Sequence, residues 1–289
     1  MKRKLKISTI RKELLKEKKQ GRTIGFVPTM GALHDGHASL IRKAKRKCDI
    51  VVCSIFVNPK QFNEKKDLRR YPRTLRRDME ILEKEGVEYL FHPSIEEIYP
   101  KGESITVDLD LMCLDKRMEG KFRPGHFKGV VQVVKRLLDI IQPSYLFMGQ
   151  KDFQQFTIIQ YMIDTLDIPT TLIVCVSQRE KDGLAMSSRN RRLDPKLRKR
   201  AGIIYETLKM IKRHIDDHTP QQLIKKAING MTIPGFKPEY VSIIDGKTLK
   251  PIQSFKTEDY IVACTAVWAG EVRLIDNIIL KNDHTPTYT

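Results

Sequence analysis

The sequence has 289 residues, 40% of them hydrophobic, and a formal net charge of +18. That length and apolar content support a sizeable buried core in one or two domains, and no apolar run approaches the ~20 residues needed to span a bilayer. The charge points either to an anionic partner, whether nucleic acid or a phosphate- or carboxylate-bearing substrate, or to a solvated Lys/Arg surface; its concentration in helix-like stretches such as RKAKRK (42–47) and DPKLRKR (194–200), with few aromatics between, favours the second.

In chain order, residues 1–21 are basic, hold no apolar stretch like a signal-peptide core, and read as a helix with Ser8 or Thr9 as N-cap and Gly21 just past its end. Thr23–Val27 is a short apolar strand. A helical pattern follows from His37 to Lys47, then a buried-type strand at Asp49–Val57. Arg73–Glu85 is a polar helix closed by Gly86 and followed by strand Val87–Phe91. Phe127–Ile141 has apolar residues at helical spacing, Ser144–Met148 is a strand leading into Gly149, and helix Phe153–Leu166 and strand Thr171–Val176 complete the series. Continuous apolar strands separated by helices predict a parallel sheet covered on both faces, a Rossmann-like α/β nucleotide-binding domain over residues 1–177. The pattern then changes. After the loop SQREKDGLAMSSRN (177–190), a basic helix from Pro195 to about His214, a helix over Gln221–Ile228, and alternating strands at Glu239–Ile244, Tyr260–Trp268 and Val272–Ile279 predict a smaller C-terminal α+β domain, residues 178–289. The five cysteines, Cys48, Cys53, Cys113, Cys175 and Cys264, are scattered without metal-type spacing, which fits a reducing cytoplasm.

The stretch PTMGALHDGHASLI (28–41) lies between the first apolar strand and the following helix, where an open parallel sheet binds its ligand. Gly31 and Gly36 permit close backbone approach to phosphate, and the helix N-terminus offers unpaired N–H groups. His34 and His37, three residues apart, can aim at one phosphate and donate to charge developing on it; as residues alone they also fit surface histidines or two metal ligands, though no third ligand is near. GQKD (149–152) repeats the strand-to-helix placement. Lys151 is a cation where the helix dipole does not favour one, as a phosphate ligand would be. Asp152 fits an N-cap as well as a ribose contact.

These stretches resemble the pantothenate synthetase (pantoate–β-alanine ligase) family of the nucleotidylyltransferase superfamily. PTMGALHDGH is similar to its HIGH-type signature, and six further blocks follow in family order: SIFVNPKQF (54–62), YPRT (71–74), RPGHFKGV (123–130), GQKDFQQ (149–155), DGLAMSSRN (182–190) and RLIDN (273–277). The resemblance covers about residues 23–280. It implies ATP-dependent condensation of (R)-pantoate with β-alanine through a pantoyl-adenylate, with Mg²⁺ accompanying ATP, a homodimer formed largely by the N-terminal domain, and no nucleic-acid or membrane partner. It implies an ATP site made by Met30, Gly31, Ala32, Leu33, His34, Asp35, Gly36 and His37, by Gly149, Gln150, Lys151 and Asp152, and by Met186, Ser187, Ser188 and Arg189, with His34, His37 and Lys151 catalytic. Gln61, Gln155 and Met30 are implied for pantoate, Gln61 also lying near β-alanine, with Phe62 beside Met30 as an apolar wall. Arg123 is implied at the site's mouth, and His126 as a residue that orients its loop. Asp78, on the helix after YPRT, is a candidate magnesium contact or a solvated helix residue.

Position 150 is Gln where many members carry Glu, and Lys121–Phe122 stand where other members often have a second small residue; the second change affects the shape of its loop. The competing readings are a nucleotidylyltransferase that releases a nucleotide-diphosphate product and a nucleic-acid-binding protein using the +18 charge. The first predicts product formation without β-alanine, the second affinity that falls steeply with salt.

Overall fold

The computed structural model describes residues 1–63, 65–102 and 105–282. The first half of the chain runs β1 (Lys2–Lys4), α1 (Ile7–Lys19), β2 (Ile24–Thr29), α2 (Asp35–Lys47), β3 (Ile50–Ile55), a 3-10 turn (Pro59–Gln61), α3 (Lys65–Arg70), α4 (Leu75–Lys84), β4 (Tyr89–Phe91), α5 (Ile95–Ile98), α6 (Glu119–Phe122), α7 (His126–Ile141), β5 (Tyr145–Gly149), α8 (Phe153–Thr165) and β6 (Thr171–Cys175). A second 3-10 turn (Ser188–Arg192) then leads to α9 (Pro195–Arg198), α10 (Ile203–Arg213), α11 (Pro220–Met231), β7 (Phe236–Asp245), β8 (Tyr260–Ala269) and β9 (Val272–Asn282).

β1 to β6 form one parallel sheet in the order β1-β4-β3-β2-β5-β6. Its strands are buried on both faces because alternate side chains enter different cores. Ile24, Phe26, Val52, Leu146 and Met148 join the core under α7 and α8, while Val27, Val51, Cys53, Ile55 and Phe147 pack with Leu40, Ile41 and Ala44 of α2 on the other face. From β2 the sheet grows one way through β3 and β4, and β5 then adds on β2's other side. The winding therefore reverses between β2 and β5, and a crevice opens beyond their carboxyl ends.

The second sheet is antiparallel, in the order β7-β8-β9, and forms a small domain with α10 and α11. One face packs Val241, Ile243, Ile261 and Ala263 against Ile204, Leu208, Leu223 and Ala227 of those helices. The other face contributes Ile244, Tyr260, Val262 and Cys264 to the core of the parallel-sheet half.

Several boundaries differ from the sequence expectations. β1 has no apolar residue and exists through its pairing with β4 at the sheet edge, where lysines suit a solvated border. α1 begins at Ile7 with Lys6 as N-cap, and Thr9 Oγ1 donates to the Lys6 carbonyl at 2.8 Å instead of capping. The expected basic helix from Pro195 to His214 is two helices, α9 and α10. Between them Gly202 lies so close to Asp182 that an added Cβ would stand 2.4 Å from its carbonyl oxygen.

Candidate active site

The loop from β2 to α2 is built around a carboxylate. Gly31 and Ala32 both have positive φ, +80° and 53°, a succession that turns neighbouring N–H groups toward one point. That point is Asp78 of α4: its Oδ2 accepts from Ala32 N at 2.9 Å, and its Oδ1 accepts from Leu33 N at 2.8 Å and from Thr74 Oγ1 at 3.1 Å. Asp78 is 1% exposed and lies beneath the loop. The chain's own donors thus occupy three of the acceptor positions of Asp78, the residue considered as a magnesium contact, and bury it rather than leaving it as a solvated helix residue. The same geometry turns inward the N–H groups of Gly31, expected to let its backbone approach phosphate, and of Ala32 and Leu33, expected in the ATP site. Their N–H groups point at Thr29 Oγ1 and Asp78, inside the protein. Asp35 is exposed in the first turn of α2, where its charge complements the helix dipole. Of residues 30–37, Met30, His34, Gly36 and His37 line the crevice.

The two histidines are held as neutral donors. Gly36 N donates to His34 Nδ1 at 3.1 Å, and His34 N donates to His37 Nδ1 at 3.4 Å. With each Nδ1 accepting, a neutral ring carries its proton on Nε2. The rings lie 4.1 Å apart between centroids. Burial, with the Lys151 and Arg191 charges adding to it, pushes His34 down to about 4; burial and then His34 itself push His37 down to about 3.

Across the crevice, β5 ends at Gly149 and its turn presents Lys151. The Lys151 ammonium donates to Asp152 Oδ1 at 2.9 Å. Burial alone would raise the half-buried Asp152 carboxyl, but Lys151 outweighs it, with Arg189 and His37 assisting, and holds it below its ordinary value. Gln150, expected in the ATP site, is buried, and its side chain donates to Asn277 Oδ1 at 3.1 Å instead of lining the crevice. Met186, Ser187, Ser188 and Arg189 close the third side. Ser187 Oγ accepts from Arg189 N at 3.3 Å, while the Arg189 and Arg192 guanidinium groups share the carboxylate of Asp67 on α3 at 3.0 and 3.1 Å.

The crevice has a volume of about 210 Å³ and opens into a larger cavity of about 730 Å³ toward the small domain. Met30, Gln61, Lys151, Asp152, Gln155, Ser187 and Arg189 border both. Gln61 donates to Met30 Sδ at 3.0 Å and accepts from Asn58 Nδ2 at 3.2 Å; Phe62 lines the larger cavity edge-on to Tyr71. His126 Nδ1 lies 2.7 Å from the Gln61 carbonyl, so it carries the proton and donates, leaving Nε2 to accept from Arg123 Nη1 at 3.2 Å. Burial pushes His126 down to about 4 and the Arg123 guanidinium down to about 10. His126 thus ties Arg123 to the Gln61 backbone.

Other polar residues at the cavity carried no site reading from sequence. Arg273 pairs both oxygens of Glu119 at 2.6 and 2.8 Å and also Glu239 at 2.6 Å, and Tyr240 donates to Glu119 at 2.8 Å. Burial alone would raise the Glu119 carboxyl, but Arg273 outweighs it and holds it below its ordinary value. The RLIDN block was the one signal that could have flagged Arg273 and Asn277; Asp67, Glu119, Glu239 and Tyr240 had none. Among the described residues, His214, Asp217 and His218 could together hold a metal ion, but they lie outside the crevice, and the Lys226 ammonium already stands 2.5 Å from His218 Nε2.

The chain matches the family model described as pantoate-beta-alanine ligase over residues 4–279. It is 45% identical to a pantothenate synthetase of Bacteroides thetaiotaomicron over 278 residues, 95% of this chain and 97% of that protein. Among solved structures, it superposes on a pantothenate synthetase from Thermus thermophilus with a TM-score of 0.91 at 36% identity, covering 97% of this chain and 100% of that one. A pantoate-beta-alanine ligase from Francisella tularensis, complexed with beta-gamma ATP and beta-alanine, aligns with a TM-score of 0.79 at 38% identity over 99% of this chain and 100% of that one. The chain belongs to the pantoate–β-alanine ligase family.

Proposed function

We propose that the chain condenses (R)-pantoate with β-alanine at the expense of ATP, giving pantothenate, AMP and pyrophosphate. In the first half-reaction a pantoate carboxylate oxygen attacks the α-phosphorus, the bond from that phosphorus to the bridging oxygen breaks, and pyrophosphate leaves. In the second, the neutral amine of β-alanine attacks the adenylate carbonyl, AMP leaves with the bonding pair, and the nitrogen loses a proton.

The observation that carries this reading is the histidine pair. Their tautomers carry the proton on Nε2, and both rings line the crevice at the sheet's switch point together with Lys151 and Arg189. A carboxylate meeting a polyphosphate encounters like-charge repulsion, which fixed donors and cations relieve as charge shifts onto the phosphate oxygens. No enzyme nucleophile is required; positioning carries the remainder of the rate. Gln61, Gln155 and Met30 border both cavities, so pantoate held by them lies between ATP at the strand ends and β-alanine arriving through the larger cavity. Magnesium enters as the counter-ion of the ATP phosphates, where it would offset their charge. The hydrogen bonds that Asp78 accepts from Ala32 N and Leu33 N support a loop-bracing role for it, and the steps above are carried by the chain's own donors.

The proposal extends to a domain division after residue 177, with residues 178–289 acting as a lid over ATP. The Ser187–Arg189 segment at the head of the second part supports this. It extends also to a homodimer in the cytoplasm, a setting that the free cysteines suit.

Purified protein with ATP, magnesium and pantoate, with and without β-alanine, provides the test. AMP should accumulate only when β-alanine is present; equal AMP release without it overturns the ligase reading. Within the site, His37→Ala and Lys151→Ala should each lower turnover by about 10²-fold, as loss of a transition-state donor does. Near wild-type rates in both would remove their assigned roles.

A further inference from the structure

No step of the proposed reaction uses the RLIDN stretch, yet its last two residues reach both elements that supply cations to the crevice. Successive side chains of a strand leave on opposite faces, so neighbours on β9 can hold different partners. Asn277 is 1% exposed and its side chain is fully engaged. Its Nδ2 donates to the carbonyls of Gln150 at 2.9 Å and Lys151 at 3.0 Å, and its Oδ1 accepts from Gln150 Nε2 at 3.1 Å. Asp276, 3% exposed, takes both arms of Arg179 at 2.6 and 3.0 Å. Arg179 also donates to Gly183 O at 3.1 Å, pairs with Ala185 across a bridge, and lies over the Tyr205 ring 3.6 Å from its centroid. It therefore fixes the base of the loop that continues into Ser187–Arg189.

We propose that Asp276 and Asn277 are positioning residues for adenylation, Asn277 setting the turn that aims Lys151 and Asp276 setting the loop that carries Arg189. The inference rests on the roles assigned above to Lys151 and Arg189. The turn depends on outside help, since its own closing bond, Asp152 N to Gly149 O, is long at 3.3 Å. Removing the Asn277 amide leaves two carbonyls without their donor and frees the point from which the lysine stem starts. A displacement near 1 Å at such a point costs on the order of 10²-fold in rate. The charge on Asp276 does the corresponding work for Arg179, because a neutral amide in its place loses the paired fork. One dipeptide of the small domain thus sets the separation of two cations that the other half of the chain must use together.

A double-mutant cycle separates this role from a merely structural one. Pantoate-dependent exchange of pyrophosphate into ATP is measured on folded protein for Asn277→Ala, Lys151→Ala and the double variant, with the β-alanine KM measured alongside. Asn277→Ala should slow exchange by about 10-fold to 10²-fold and leave the β-alanine KM unchanged, and the double variant should be no slower than Lys151→Ala alone. If Asn277→Ala does not fold, Asn277→Ser, which keeps one short donor, provides the readout. Asp276→Asn should slow exchange without altering the Lys151→Ala effect. Exchange at the wild-type rate in folded Asn277→Ala, or losses that multiply in the double variant, overturn the positioning role. Wild-type exchange in Lys151→Ala alone overturns the site assignment and this proposal with it, a result distinct from failure of the clasp.

Discussion

Replacing Asp78 with alanine tests the inward-facing loop most directly. The carboxylate is 1% exposed and accepts from two backbone N–H groups at 2.8 and 2.9 Å and from the Thr74 hydroxyl at 3.1 Å. Its removal strands the Ala32 and Leu33 donors out of reach of water, and each such donor costs roughly 1–3 kcal/mol. The sum, about 4 kcal/mol at the middle of that range, corresponds for a chain of this size to a Tm lower by roughly 8–16 °C. The positive φ at Ala32 then loses the contact that holds it, so the segment carrying His34 loosens and kcat should fall with stability. The magnesium dependence of the remaining activity should match the wild type. Calorimetry and a magnesium titration of the pantoate-dependent exchange decide the matter. An unchanged Tm combined with a weakened apparent magnesium affinity would show that Asp78 holds the metal and that its hydrogen bonds to the loop count for little.

Three other perturbations have definite signs. The folded pKa values of His34 and His37, about 4 and about 3, lie below the ordinary 6.5, so both rings are neutral at pH 7 and should show no NMR titration between pH 5.5 and 8. Below pH 6.5 the unfolded chain takes up protons that these folded rings refuse; stability is fully present above that value and falls by about 1.4 kcal/mol per pH unit per histidine toward pH 4. A denaturant melt that is equally stable at pH 7 and pH 5 would contradict this. Gly36→Ala places a Cβ 2.8 Å from His34 Cε1 and 2.9 Å from its Nδ1, so it should displace the ring and lower kcat by about 10²-fold with little loss of Tm. Gly129→Ala drives a Cβ to 2.3 Å from the Lys60 carbonyl oxygen and should cost about 1–3 kcal/mol by overpacking, while raising the pantoate KM through the adjoining Gln61. Unchanged melting and unchanged KM would refute that contact.

The parts of the site legible in the sequence are those that depend on a strand end and the helix after it. Apolar strands at Ile24–Thr29 and Tyr145–Gly149, each running into a Gly-containing turn and a helix, place His34, His37 and Lys151 together without knowledge of any long-range contact. The unread parts are pairings between residues distant in the chain. Arg273 meets Glu119 across 154 positions, Gln150 meets Asn277 across 127, and Asp78 meets Leu33 across 45. Spacing cannot reveal which partner a charged residue will find at such range. Asp78 illustrates the ambiguity: an aspartate near a phosphate-type loop suggests a metal ligand from sequence, and only the fold shows that two of the loop's N–H groups face it.

Other pairings within the crevice explain how it can gather so much positive character. Four cationic groups close together would repel one another and be costly to bury. The chain reduces that cost in two ways. It keeps His34 and His37 neutral through burial and through their Nδ1 acceptor bonds. It also gives each remaining cation a carboxylate, Asp152 for Lys151 and Asp67 for Arg189. Under the proposed function, an incoming triphosphate would exchange one set of oxygens for another, and the protein would not need to create a charged site at the moment of binding. Neutral Nε2–H donors attract the reacting phosphate less than imidazolium groups would in the ground state. They strengthen as charge builds in the transition state, which is where donated hydrogen bonds accelerate a reaction.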